Sequence, residues 1–279
     1  MTELRRRMMA DMKLHGLAPG TQKVYVKAVQ HLAGHYRRSP DQLSEQELRD
    51  YFTYLVEEKK VASSTLRTEI FGVKFLFDKT LRRPWPTLKF LRARPHAKLP
   101  VVLDRVEARR LIGLIRCLAV RTCATLMYSC GLRISEALGL QVKDLDSARM
   151  VVVVRAGKGN KDRHVPLPQR TLELLREYWR AYRPRTCLLV TKRGRPLTDR
   201  RVRYFLKKAL KQSGIRKQVS CHTLRHSYAT NLMEQGVDIR VIQVLLGHRS
   251  LKTTALYLHL TQSVMQPVQE AINELMADL

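Results

Sequence analysis

Four prolines, Pro84, Pro86, Pro95 and Pro100, fall in a stretch that also carries Arg82, Arg83, Lys89, Arg92, Arg94 and Lys98 and shows no apolar periodicity. Proline removes a backbone donor and clashes with the preceding helical turn, so no long helix or central strand can run through this stretch. The 279-residue chain is therefore expected to fold as two bodies joined by a stiff basic connector, which agrees with ordinary domain sizes. We place a first unit over 1–90, a linker over 91–103 and a second unit over 104–279.

Before the connector, apolar residues recur at helical spacing. Residues 2–14 can form one helix. After the punctuation Pro19-Gly20-Thr21, Tyr25, Ala28, Val29, Leu32 and Tyr36 mark a second. Ser44 with Glu47 spells a capping box ahead of Leu48, Tyr51, Phe52 and Leu55. Ser63 or Ser64 can start a fourth helix with Leu66, Ile70, Val73 and Phe77 inward. Beyond the connector, Asp104 with Glu107 is another cap signal, leading into Ala108, Leu111, Ile112 and Ile115. A helix with Ala124, Leu126 and Met127 then breaks at Gly131. Here the period changes: residues 150–156 and 162–167 read as strands around Gly157-Lys158-Gly159-Asn160, a β-hairpin. Residues 170–181 return to helix, 187–191 (CLLVT) are expected as a third strand, and 198–212 and most of the chain after His222 are helical. The expected fold class is mainly α with a small β-sheet.

Lys and Arg number 52 against 24 Asp and Glu, a formal charge of +28, with the excess in both units. At 44% hydrophobic residues, with 13 Gly and 11 Pro, the chain is neither a disordered basic tail nor collagen-like. A folded body so charged repels itself, and a nucleic acid offsets that field. An anionic membrane fits less well, because both units read as globular and no amphipathic basic arm stands apart from them. Basic density peaks from Arg183 to Lys217, where 13 Lys or Arg meet the single acid Asp199. No apolar run approaches the ~18 residues of a membrane span, and MTELRRRMMADMKLHG has no apolar run of a signal peptide behind its arginines. Five cysteines without a CxxC pair fit reduced thiols in a cytoplasm. The expected location is cytoplasmic and nucleoid-associated.

His222 and His226 have the i,i+4 spacing of a zinc pair, but HTLRH lacks the glutamate of HExxH and Arg225 opposes a cation there, so no metal is expected. AGKGNK has no Ser or Thr after its lysine and lies between strands, which argues against a triphosphate loop, and no cofactor is expected. What remains is Arg133 in YSCGLRISEALGL and Arg225 in SCHTLRHSYATNL, each bordered by core-type residues. An arginine so placed needs an anionic partner. That partner is either an internal carboxylate, with Glu136 or Asp144 available, or a phosphate.

In their order along the chain these segments resemble the tyrosine recombinase family, the integrase and Xer-like site-specific DNA recombinases. The resemblance is carried by the GLRxSE box with Arg133, by GKGNKDRHVPLP at 157–168 with Lys158, and by HTLRHSYATNLMEQGVDIRVIQVLLGH at 222–248 with His222, Arg225 and His248. Tyr257 follows nine residues later in TTALYLH. GLAPGTQKVYVKAVQHL and ASSTLRTEIFGVKFLF are similar to the family's helical core-binding, SAM-like domain. The stretch from Lys158 to His222 has no room for the added segment of integron integrases, and no arm-binding domain is expected ahead of the helical one.

The resemblance implies an α+β catalytic domain that forms, with the helical domain, a C-shaped clamp on duplex DNA. It implies cleavage by Tyr257, a 3′-phosphotyrosyl intermediate and a freed 5′-hydroxyl. Arg133 and Arg225 would grip the phosphate, Lys158 would protonate the leaving oxygen, and His222 and His248 would assist. His226 and Glu136 would support the others. Arg200, Arg201, Arg203, Lys207 and Lys208 are expected to touch DNA. The implied partners are double-stranded DNA with inverted core sites, further copies of the chain in a tetramer on two synapsed sites, and accessory DNA-bending or directionality proteins. A C-terminal helix over about 267–279 would pack on the next protomer, and strand exchange would pass through a Holliday junction. A mobile-element enzyme is the first expectation and an Xer-like dimer resolvase the second. A type IB-like topoisomerase or a non-catalytic DNA-binding protein would share much of this pattern.

Overall fold

The computed structural model describes residues 2–83, 100–155, 162–248 and 250–255. The chain forms two compact units, residues 1–98 and 99–279. The connector prolines Pro84, Pro86 and Pro95, the hairpin turn with Lys158, the expected nucleophile Tyr257 and the tail 267–279 lie outside the described residues.

The first unit is built from α1 (Glu3–Leu14), α2 (Pro19–Tyr36), α3 (Glu45–Glu57) and α4 (Ser63–Phe75), which continues into a π-helical turn, Leu76–Thr80. Pro19 starts α2 as its first helical residue, where its missing N–H costs nothing. The capping box predicted at Ser44 and Glu47 is present, with Ser44 N donating to Glu47 Oε2 at 2.8 Å. Met12, Leu32, Leu48, Phe52, Val73 and Phe77 come together as the core. Gly72 lets α4 approach α2: a Cβ there would lie 2.7 Å from Ala28 Cβ and 3.0 Å from the Tyr25 carbonyl oxygen.

The second unit begins with α5 (Arg105–Gly113), capped by Asp104 and Glu107 as expected. It continues with α6 (Leu118–Ser129), α7 (Ile134–Gly139), a 3-10 turn (Val142–Asp144), β1 (Leu145–Asp146), β2 (Val151–Val154) and β3 (Arg163–Pro166). Helices α8 (Gln169–Tyr182), α9 (Asp199–Ser213), α10 (Cys221–Glu234), α11 (Ile239–Leu246) and α12 (Leu251–Ala255) follow. Among the described residues the three strands form one antiparallel sheet in the order β1-β2-β3. Val152 and Val154 face inward and pair with Val165 and Arg163.

Helix α6 is buried around most of its circumference, through Val120, Cys123, Ala124, Leu126 and Met127, and packs against α5, α7, α8, α9 and α10. Helix α10 is also buried on most sides, yet many of its inward residues are polar. Its Ser227 hydroxyl accepts the Leu103 N–H at 2.8 Å, and Asn231 Nδ2 donates to the Tyr128 hydroxyl at 3.0 Å. Buried polar groups need such partners. They fix α10 in rotation as well as in position, because each bond works at only one setting of the helix.

The expected third strand at 187–191 is a correction. Leu188, Leu189 and Val190 are buried, but the segment makes only single bridges, Gln141 with Cys187 and Val190 with Pro196. Its backbone groups find other partners: Leu188 N–H reaches the Leu140 carbonyl, and the Tyr178 hydroxyl bonds both the N–H and the carbonyl of Val190. A short apolar run signals burial without specifying a ladder. The third strand of the sheet is Leu145–Asp146 instead. No helix among the described residues is long and apolar enough to cross a membrane.

Gly72→Ala tests the packing of the first unit. The added methyl meets backbone as well as side chain, so the substitution should destabilise that unit by about 1–3 kcal/mol. Native-state hydrogen exchange should quicken in α2 and α4 and stay unchanged in α6 and α10. Unaltered protection in α2 and α4 would contradict the close approach.

Candidate active site

One carboxylate organises the site. Glu136 is the third residue of α7, and its Oε2 accepts the backbone N–H of Arg133 at 2.8 Å, the reach-back half of a capping box. The residue in the cap position is an arginine, and its Nη1 meets Glu136 Oε1 at 2.7 Å. Local helix-capping geometry thus sets Arg133 against Glu136.

Two further guanidiniums arrive from distant segments. Arg163 of β3 forks onto the carboxylate, Nη1 to Oε1 at 3.0 Å and Nη2 to Oε2 at 2.7 Å, while its Nε donates to the Leu245 carbonyl at 2.8 Å. Arg225 of α10 reaches Glu136 Oε2 at 3.4 Å and donates to the Gly131 carbonyl at 2.7 Å and to the Leu246 carbonyl. Three positive charges therefore surround one negative charge. Burial pushes the Glu136 carboxyl up, but the Arg163 hydrogen bonds, the Arg133 N–H and the Arg163 charge outweigh it and hold it at about 2. The side chains of Arg163 and Arg225 are 8% and 4% exposed, whereas Arg133 keeps 21%. An anion attracted by the surplus charge can thus approach on the Arg133 side.

Gly131 permits this convergence. Its φ is +59°, a conformation that favours glycine, and a Cβ there would lie 2.5 Å from the Tyr228 ring of α10. Any larger residue would push α10 away, and Arg225 with it.

The histidines line the same region. His222, His226 and Arg225 stand at i, i+4 and i+3 on α10, so they share a face, and His222 lies in the first helical turn. The His222 and His226 ring centroids are 6.3 Å apart. His248 follows Gly247, the left-handed residue that ends α11. Its Nε2 lies 3.2 Å from Arg225 Nη2 and its Nδ1 3.0 Å from the Thr254 hydroxyl. A guanidinium only donates, so Nε2 must accept and the ring proton sits on Nδ1. Burial first, then Arg225 and Arg133, depress His248 to about 4. Burial, His222 and Arg225 depress His226 to about 4 as well. Burial, Arg225, Arg203 and Arg133 lower His222. All three imidazoles are consequently neutral at pH 7.

The structure thus brings Arg133, His222, Arg225 and His248 into one region. Of the two carboxylates considered in the sequence, Glu136 is the arginine partner, and Asp144 instead takes Arg155 at 2.6 Å. Arg163 was not among the sequence candidates. Its signal was legible, because Val165 and Leu167 face the core and strand alternation puts position 163 on the same face. Arg200, Arg201, Arg203, Lys207 and Lys208 are all exposed on α9, opposite its buried Val202, Leu206 and Ala209. Arg203 pairs with Asp199 at 2.6 Å, and Arg201 lies over the Phe205 ring.

The phage integrase family matches residues 102–263, and the family's N-terminal SAM-like domain matches residues 4–87. The chain belongs to the phage integrase family. As a member it is a tyrosine-type site-specific DNA recombinase, a DNA strand transferase. It is similar to the candidate integrase/recombinase y4qK of Sinorhizobium fredii, with 42% identity over 262 residues, 93% of this chain and 85% of that one. Tyrosine recombinase XerC of Halalkalibacterium halodurans is 34% identical over 241 residues, 79% of each chain. The crystal structure of XerA recombinase superposes with a TM-score of 0.56 at 27% identity, covering 97% of this chain and 98% of that one.

The depressed histidines give this recombinase a stability profile of known sign. Between about pH 6.5 and 4 the unfolded chain binds protons that the folded chain does not, so stability falls as pH drops through that window. The melting temperature should decline from pH 7 to pH 5, and His226→Asn should make the decline shallower. Parallel profiles for the two proteins would refute the buried neutral histidine.

Proposed function

We propose that the site around Glu136 binds the scissile phosphate of a DNA core site and that the chain cuts and rejoins strands there through Tyr257. The observation that carries this reading is the surplus of two positive charges around one buried carboxylate, open to solvent on the Arg133 side. Arg133 and Arg225 hold the non-bridging oxygens, where charge accumulates in the pentacoordinate transition state and planar guanidinium forks fit. The Tyr257 oxygen attacks phosphorus and the 5′-oxygen leaves, so one phosphoester replaces another and the reverse attack can reseal the strand. Neutral His222 can take the tyrosine proton, and Lys158 supplies one to the leaving oxygen. Positioned proton transfer of this kind is typically worth ~10²–10⁴-fold. His248 orients Arg225 while its Nε2 accepts, and donates to phosphate only after its ring proton moves.

The exposed basic face of α9 and the charge of +28 support binding to double-stranded DNA, mostly through backbone phosphates and therefore with a steep salt dependence. The helical unit contributes a second basic surface. On inverted core sites, two copies per site and four per synapse would exchange strands through a Holliday junction, with residues 267–279 passed between neighbouring copies. The biological role we favour is integration and excision of a mobile element. The Xer-like match across 79% of each chain also favours a second role, resolution of chromosome or plasmid dimers.

The test uses a nicked suicide duplex whose inverted arms the unsubstituted chain has selected from a randomised library. Tyr257→Phe should abolish the covalent adduct on a denaturing gel and keep DNA affinity within a few-fold. A normal adduct would remove Tyr257 as nucleophile.

Lys158→Ala should slow cleavage of the ordinary phosphodiester far more than cleavage of a duplex with a 5′-bridging phosphorothiolate, because a sulfur leaving group needs little protonation. Arg133→Ala should be slow on both. Equal slowing of the lysine variant on the two duplexes would reassign Lys158 to binding.

A further inference from the structure

Arg163 is almost fully buried and touches three separate pieces of the catalytic unit. Its fork covers both oxygens of Glu136 on α7, and its Nε holds the Leu245 carbonyl in the last turn of α11. Its aliphatic stem lies against Gly247, whose φ is +60° and where a Cβ would come within 3.1 Å of Arg163 Cδ. The next residue, His248, meets Arg225. The third piece is its own strand: among the described residues, Val154 with Arg163 is the ladder pair nearest in the chain to Lys158.

The charge balance sharpens the question of what this arginine does. Without it, Glu136 would face Arg133 and Arg225 with both oxygens available, and a carboxylate competes with a phosphate for the same guanidinium donors. With both oxygens forked by Arg163, part of the carboxylate's charge is met from behind. Arg133 and Arg225 then retain net attraction for an incoming anion.

We propose that Arg163 is a positioning residue for strand cleavage: it offsets the Glu136 charge so that the cluster of Arg133 and Arg225 keeps a positive surplus toward phosphate, and it ties the facing ends of β2 and β3, between which Lys158 lies in the chain, to that cluster. The proposal rests on the reading of Arg133 and Arg225 as phosphate ligands. It assigns Arg163 no contact with DNA. Its effect runs through the placement of other groups, where a displacement of ~1 Å can cost about 10²-fold in rate.

The experiment measures single-turnover cleavage of the selected suicide duplex at saturating protein, beside DNA affinity and thermal unfolding of the full chain. Arg163→Met should lower the cleavage rate about 10²-fold with affinity within a few-fold. Arg163→Lys keeps a charge but cannot form the two-toothed fork, and should remain at least about 10-fold slow. Should Arg163→Met fail to fold, the lysine variant carries the test. A double substitution gives a second readout. In a Glu136→Gln background, Arg163→Met should cost markedly less than in the unsubstituted chain, because the carboxylate it masked is gone.

Three outcomes would overturn the proposal. Arg163→Lys could cleave at the unsubstituted rate. The methionine variant could recover full cleavage once protein saturates the DNA, which would mark Arg163 as structural only. The cost could also be equal in the Glu136→Gln background. Arg133→Ala separates these from failure of the underlying reading: normal cleavage by that variant removes the phosphate cradle itself. Slow cleavage by Arg133→Ala beside normal cleavage by both Arg163 variants removes only the positioning role.

Discussion

Glu136 carries a single negative charge into the interior of the catalytic unit, and an ionised carboxylate cannot stay there without donors on both oxygens. Its partners come from the chain start of α7, from strand β3 and from helix α10. Each of those elements must therefore be in place before the ion cluster is complete. An isolated buried ion pair is weak evidence for stability, because desolvation offsets the attraction. A cluster with two surplus positive charges is less favourable still, because like charges repel. On the proposed reading, the cluster is preorganised for the scissile phosphate, so its charges need no rearrangement as the reaction proceeds.

The rest of the catalytic unit supplies rigidity to that cluster. Helix α10 is held by polar bonds from Ser227 and Asn231 and by contact with α6, and its Tyr228 ring sits where a Cβ on Gly131 would be. The same helix carries His222, Arg225 and His226 on one face. A glycine chosen for packing and an arginine chosen for charge are thus parts of one arrangement, since the Gly131 carbonyl is itself an acceptor for Arg225. Gly247 repeats the pattern next to Arg163.

Long-range charge acts on a different scale. The chain's +28 is spread over both units, and α9 turns its exposed basic residues away from its buried apolar side. Such a field raises the local concentration of a polyanion and speeds encounter, but it carries no sequence information by itself. The compact cluster at Glu136 acts over hydrogen-bond distances and is shielded from salt by burial. Salt would therefore weaken encounter with DNA far more than it weakens the cradle.

Much of the local structure was decided within short windows of the chain. The caps at Ser44–Glu47 and Asp104–Glu107, the helical apolar spacing, the β2–β3 pairing and the grouping of His222, Arg225 and His226 depend on residues near each other in sequence. The motifs also marked Arg133, Arg225, His222 and His248, though not what they touch. Tertiary structure alone joined Arg163 and Arg225 to the Glu136 that the local cap had already set against Arg133, gave Asp144 to Arg155, put the ring proton of His248 on Nδ1, and left 187–191 out of the sheet. The division has a physical cause. Caps and periodicity are settled by atoms a few residues apart. Which donor meets which acceptor across a packed interior depends on where whole helices and strands come to rest, and no short window of sequence contains that information.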